Sequence, residues 1–121
     1  MIRIAIDAMG GDFAPKEQVK GAVLALQNDK DFIAVLCGDE EKIRAELALY
    51  KKYDASRVEI VHAPEVITND DIPTKAVRTK KNSSTVTAFD LLKEGKADAV
   101  VSSGATGAVL TAGVLTLGRI K

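Results

Sequence analysis

The chain reads as an α/β protein built on a parallel sheet. Three observations predict this. Short β-favouring runs alternate with stretches of helical periodicity. One run, "FIAVLC" at 32–37, is apolar throughout, as strands covered on both faces by helices are. The runs are also far enough apart for crossover helices, which join parallel strands with right-handed crossovers.

The elements follow in order. Ile2 to Ile6, interrupted by Arg3, read as a strand. Pro15 suits a first helical position, its φ already set and no N–H to leave unpaired. Val19, Ala22, Val23 and Leu26 then fall at i, i+3, i+4 and i+7, the stripe of a helix lying on a core. After the strand at 32–37, Gly38 and Asp39 give a turn and an N-cap. Ile43, Leu47 and Tyr50 mark the next helix, with Glu40 and Arg44 spaced for an i,i+4 pair. "VEIV" at 58–61 is a third strand. From His62 to Ser83 the pattern loosens, with a short helix after Pro73. A helix from about Ser84 places Val86, Phe89 and Leu92 on one side and ends at Gly95. "ADAVVSS" is a fourth strand and "GATGAVLTAGVLTLG" a glycine-punctuated helix. No repeat, low-complexity stretch or linker interrupts the 121 residues, so they form one domain, 1–121.

Composition narrows the function classes. The chain is 46% hydrophobic and 28% charged, which is ordinary globular material. Aromatics make up 4% and tryptophan is absent, so aliphatic side chains build the core. Seventeen basic residues balance seventeen acidic ones, which argues against nucleic acid as the main partner. A single cysteine allows no intramolecular disulfide and fits a reducing compartment. Cys37 stands mid-run in "FIAVLCG" and reads as a small buried hydrophobe. No apolar run approaches the roughly 20 residues that span a bilayer, and no secretory signal opens the chain. The expected location is the cytoplasm.

In an open parallel sheet the strands end on one edge, where ligands bind. Asp7, Gly10, Gly11 and Asp12 follow the first strand, Gly38 and Asp39 the second, and His62 the third. Ser102, Ser103, Gly104, Thr106 and Gly107 follow the fourth. "SSGATG" has a definite physical use: glycines let backbone N–H groups approach a ligand, hydroxyls add donors, and a helix N-terminus follows. Such a nest suits an anion, phosphate above all. Gly104 and Gly107 could equally serve a turn and helix packing. Asp7 and Asp12 read as metal-holding or as plain strand-end and turn residues, and nothing else in the sequence supports a metal. His62 is the only histidine, a catalyst or a hydrogen-bonded structural residue. Lys75, Arg78, Lys80 and Lys81 in "KAVRTKK" make either a solvated basic face or a landing site for phosphate or an acidic protein. No G-x-S-x-G, H-E-x-x-H or G-x-x-x-x-G-K-[ST] occurs, which disfavours covalent hydrolases, zinc proteases and P-loop NTPases.

"IAIDAMGGDFAP", "DDIPTKAVRTKKNSS" and "EGKADAVVSSGATGAVL", in that order, resemble the PlsX phosphate acyltransferase family of bacterial phospholipid synthesis. The resemblance implies a three-layer α/β/α sandwich, Rossmann-like and similar to the phosphotransacetylase and isocitrate dehydrogenase-like fold. It implies transfer of a fatty acyl group from acyl carrier protein to inorganic phosphate, giving acyl phosphate, with no cofactor and no metal. It also implies a homodimer that associates peripherally with the membrane. Asp7 and His62 are the catalytic candidates. Gly10, Gly11, Ser102, Ser103, Gly104, Thr106 and Gly107 are expected to hold phosphate or the oxyanion. Lys75, Arg78, Lys80 and Lys81 are expected to meet phosphate or the carrier. Family members usually read SAGNTGA where this chain has SSGATGA, so Ala105 replaces an amide side chain. They are also longer, and a chain ending in "LGRIK" is expected to be an N-terminal fragment with little activity alone. The competing expectations are a non-catalytic phosphate- or nucleotide-binding α/β module and a docking domain.

Overall fold

A computed structural model describes residues 1–118; positions 119–121 of the closing "LGRIK" lie outside the described residues. The strands are β1 (Ile2–Asp7), β2 (Phe32–Gly38), β3 (Val58–His62) and β4 (Ala99–Val101). The helices are α1 (Lys16–Asn28), α2 (Glu40–Leu47), α3 (Pro73–Thr79), α4 (Ser84–Lys93) and α5 (Thr106–Leu117). All strand pairs are parallel, in the order β3-β2-β1-β4. β1 therefore sits between β2, which follows it in the sequence, and β4, which comes last.

Alternation along the strands divides the core into two layers, as period-2 geometry requires. Ile6, Leu36, Val58 and Ile60 face α1 and α2, against Val19, Val23, Ile43 and Leu47. Ala5, Val35, Cys37, Val61 and Val100 face the opposite way, with Ala88 of α4. α3 and α5 pack around Val86 and Phe89 of α4 on that second side. The result is a three-layer α/β/α arrangement with a Rossmann-like parallel sheet. Among the described residues, no helix is long and apolar enough to cross a membrane.

Local chemistry explains the element ends. The four residues of the α1 stripe are its buried residues. Asp39 caps α2 by accepting from the Lys42 N–H at 3.2 Å, and Arg44 pairs with Glu40 at 2.8 Å. Gly95 ends the α4 turn at φ +74°. Three details depart from the sequence expectation. α1 begins at Lys16, with Pro15 just before it rather than inside. Tyr50 lies past the end of α2 but still packs against its core. β4 has three residues rather than seven, because its serines leave the ladder for the contacts described below.

One buried charge joins the sheet to α1. Arg57 donates from Nε to the Phe32 carbonyl at 3.0 Å, from Nη1 to Leu26 at 3.2 Å, and from Nη2 to Asp29. Its guanidinium lies 5.5 Å from the Phe32 ring centroid. The planar fork closes the C-terminal end of α1, where carbonyls lack helical partners and favour a cation. Removing it strands three carbonyls, so Arg57→Ala should cost about 2–4 kcal/mol, with Arg57→Lys recovering only part. Urea unfolding measures both; equal stabilities for the two variants and the parent would contradict this role.

Candidate functional site

The loops after β1 and β4 leave neighbouring strands and meet at the C-terminal edge of the sheet. Their approach is close. A Cβ on Gly10 would lie 2.6 Å from Asp7 Oδ2 and 2.8 Å from the Gly104 Cα, so no side chain fits there. Gly11 has φ +133°, a conformation that side chains disfavour.

Two sets of hydrogen bonds hold the loops together. Asp7, the last residue of β1, is fully buried. Its Oδ2 accepts from Thr85 Oγ1 at 2.7 Å and from Ser102 Oγ at 2.7 Å. Ser102 Oγ in turn accepts from the Gly104 N–H at 3.1 Å. Beside it, Ser103 Oγ donates to the Gly10 carbonyl at 3.2 Å. Gln18 Nε2 of α1 donates to the same carbonyl at 2.7 Å and to Ser103 Oγ at 3.3 Å.

Above this clasp opens a polar cavity of about 350 Å³. Its walls are Met9, Gly11 and Asp12, the stretch 66–69, and the stretch 103–106. α5 starts at the cavity with Ala105 in the N-cap position and no side-chain cap. The first-turn N–H groups and the positive end of the helix dipole therefore stand at the cavity. The 66–69 wall is tied down from behind. Lys80 Nζ donates to the Val66 carbonyl at 2.9 Å and to Asp71 Oδ2 at 2.9 Å, and the Thr68 N–H reaches Asp71 Oδ2 at 2.8 Å. The Thr68 amide, and after it Lys80, hold the Asp71 carboxyl below its ordinary value.

The expected site residues are distributed unevenly over this geometry. Gly11, Ser103, Gly104 and Thr106 border the cavity; Gly10 is buried and does not border it. Gly107 stands one residue into α5, where a Cβ would come within 2.9 Å of Pro73 Cγ, so its smallness lets α3 pack. The structure places the remaining candidates away from the cavity or turns their polar groups to other partners. The Ser102 and Ser103 hydroxyls, read from sequence as phosphate or oxyanion donors, donate here to Asp7 and Gly10. Asp7, a catalytic candidate, is buried and does not border this cavity. His62 sits two strands away, where its Nδ1 accepts from the Glu40 N–H at 3.1 Å and caps α2. Lys75, Arg78 and Lys81 are exposed and Lys80 serves as the tether; none of the four borders the cavity. The Cys37 thiol is buried and pushed up to about 12, first by desolvation and then by Asp7, which leaves it inert. Among the described residues, no group of three His, Cys, Asp or Glu side chains is placed to hold a metal.

Sequence reading missed Thr85, Gln18 and the 66–69 wall. Thr85 stands in the hydroxyl-rich "SSTVT" that opens α4, which reads as a helix start. Gln18 sits on a polar position of α1 and carries no separate signal.

Comparison with known proteins gives a consistent picture. The profile of a family described as "Fatty acid synthesis protein" matches residues 2–121. The chain is 48% identical over 120 residues to a phosphate acyltransferase of Clostridioides difficile, covering 99% of this chain and 35% of that protein. It is 53% identical over 120 residues to one of Pelotomaculum thermopropionicum, covering 99% and 34%. For one of Acetivibrio thermocellus the identity is 51% over 118 residues, covering 98% and 34%. The chain thus spans about a third of the length of the curated relatives it matches.

Two outcomes follow from the geometry. Thr85→Val removes one donor to a buried carboxylate and should cost about 1–3 kcal/mol, whereas Thr85→Ser restores most of it; chemical unfolding that shows valine and serine alike would remove Thr85 from the clasp. Because the Asp71 value is depressed in the fold, its contribution is present above the unfolded carboxylate value and lost as pH falls through the folded one. The Thr68 amide should therefore stay protected from hydrogen exchange through the ordinary carboxylate range and lose protection only at lower pH, and loss of protection at or above that range would contradict the tether.

Proposed function

Because the chain belongs to the family of fatty acid synthesis proteins, we propose that it forms the phosphate-holding wall of a phosphate acyltransferase. The reaction is transfer of a fatty acyl group from the thioester of acyl carrier protein to inorganic phosphate. A phosphate oxygen attacks the thioester carbonyl carbon. The new C–O bond forms, the C–S bond breaks, and the sulfur leaves as a thiol with the proton that hydrogen phosphate brings. The products are acyl phosphate and the free carrier thiol.

Phosphate is itself the nucleophile, so no activated serine or cysteine is needed, and Cys37 has no part. The protein's task is to hold an anion still and oriented beside an electrophile, and to offer donors to the oxyanion as it develops. The observation that carries this reading is the uncapped start of α5 at a polar cavity between two glycine loops. Main-chain N–H groups of Thr106 and Gly107 and the Thr106 hydroxyl are the donors in this reading, and Gly10, Gly11 and Gly104 give the loops their close approach. The exposed Lys75, Arg78 and Lys81 would then meet the acidic carrier rather than phosphate.

Ala105 gives the test. Ala105→Asp supplies the missing N-cap and should raise stability by about 1 kcal/mol, while its carboxylate takes the donors that phosphate would use. Calorimetric titration of the purified protein with inorganic phosphate should show binding in the parent and at least tenfold weaker binding in the variant. Unchanged phosphate affinity in a stabilised variant would place the anion elsewhere. Binding of a nucleotide in preference to phosphate would favour a non-catalytic binding module.

A further inference from the structure

A second cavity, of about 480 Å³, runs as a groove along the sheet from Ser103 to Phe32 on the side that carries α1 and α2. Ile4 and Ile6 of β1 and Val101 of β4 line it, with Gly21, Ala22 and Ala25 of α1 along one side. β4 is an edge strand, and Val101 is 55% exposed. Layered α/β domains cover each sheet face with helices, yet α1 packs on β2 and α2. A Cβ on Gly21 would meet nothing within 4 Å. The small residues of α1 leave room for another helix axis at ordinary packing distance.

Two further observations say what fills the groove. Asp7 and Gln18 line its end near Ser103, and each carries a buried side-chain oxygen, Oδ1 and Oε1, without a donor among the described residues. Buried acceptors are ordinarily paired, so the occupant brings a hydrogen-bond donor as well as apolar surface. A hydrocarbon chain offers no donor. A second copy meeting groove on groove would present the same two acceptors again. The curated relatives hold about two-thirds of their polypeptide outside the matched region. We propose that this groove seats an α-helix from polypeptide equivalent to that remaining part. The helix would lie beside α1, with an apolar face on Ile4, Ile6 and Val101 and a donor near Asp7 and Gln18. This rests on family membership and not on the acyl-transfer reading.

The test co-expresses this chain with the remaining two-thirds of the Clostridioides difficile relative and follows maleimide labelling of Ala25→Cys. Cys37 is buried and its thiol is pushed up, so it stays silent. Labelling at position 25 should slow at least tenfold in the co-purified complex, while Ala45→Cys on the outer face of α2 labels at one rate throughout. Ala25→Glu should abolish co-purification without lowering the chain's own unfolding midpoint. Failure of the parent pair to co-purify, or full-rate labelling at position 25 within the complex, would overturn the proposal. So would protection that grows with the concentration of the chain alone, which would assign the groove to a second copy.

Discussion

The site depends on one close approach, the backbone of Gly10 lying against that of Gly104 over the buried carboxylate of Asp7. Two loops from neighbouring parallel strands would normally diverge as each turns toward its own helix. Here β1 turns toward α1 on one face and β4 toward α5 on the other. The carboxylate brings them together by accepting from Thr85 of α4 and Ser102 of the β4 loop at once. The cost is strict: position 10 admits no side chain, and one carboxylate oxygen has no donor among the described residues.

That arrangement changes what the conspicuous residues do. Acids and hydroxyls gathered at a sheet edge suggest groups aimed at a ligand, but most of them are aimed at one another. Their hydrogen bonds fix the loops, and the loops place the start of α5. Affinity for an anion then comes from backbone dipoles, which need no reorganisation when the ligand arrives. Among the described residues no cationic side chain lines the cavity, and Asp12 stands on its rim. The nearest basic run acts at one remove: Lys80 anchors the 66–69 wall through Val66 and Asp71.

Local chemistry was legible in the sequence. The α1 stripe, the Asp39 cap, the Glu40–Arg44 pair and the Gly95 stop all depend on residues within a turn or two of each other, and each formed as spacing predicts. Strand order was not legible, because nothing in the β1 sequence says that it pairs with β4. His62 therefore looked like a neighbour of the glycine loops when it lies two strands off. The length of β4 was hidden for the same reason: Ser102 and Ser103 favour continuing a strand until distant partners take their hydroxyls. Thr85, 78 residues from Asp7, gave no hint of that contact. From sequence Ala105 reads as a missing ligand amide; in the fold it is also a missing helix cap.

The central claim is that the start of α5, held in place by the Asp7 clasp, is where the anion sits. Amide NMR during titration with inorganic phosphate tests it most directly. The account predicts that the largest shifts fall on Thr106 and Gly107, with Glu40 and the amides of α3 unmoved. Shifts concentrated on Lys75, Arg78 and Lys81, with α5 silent, would contradict it.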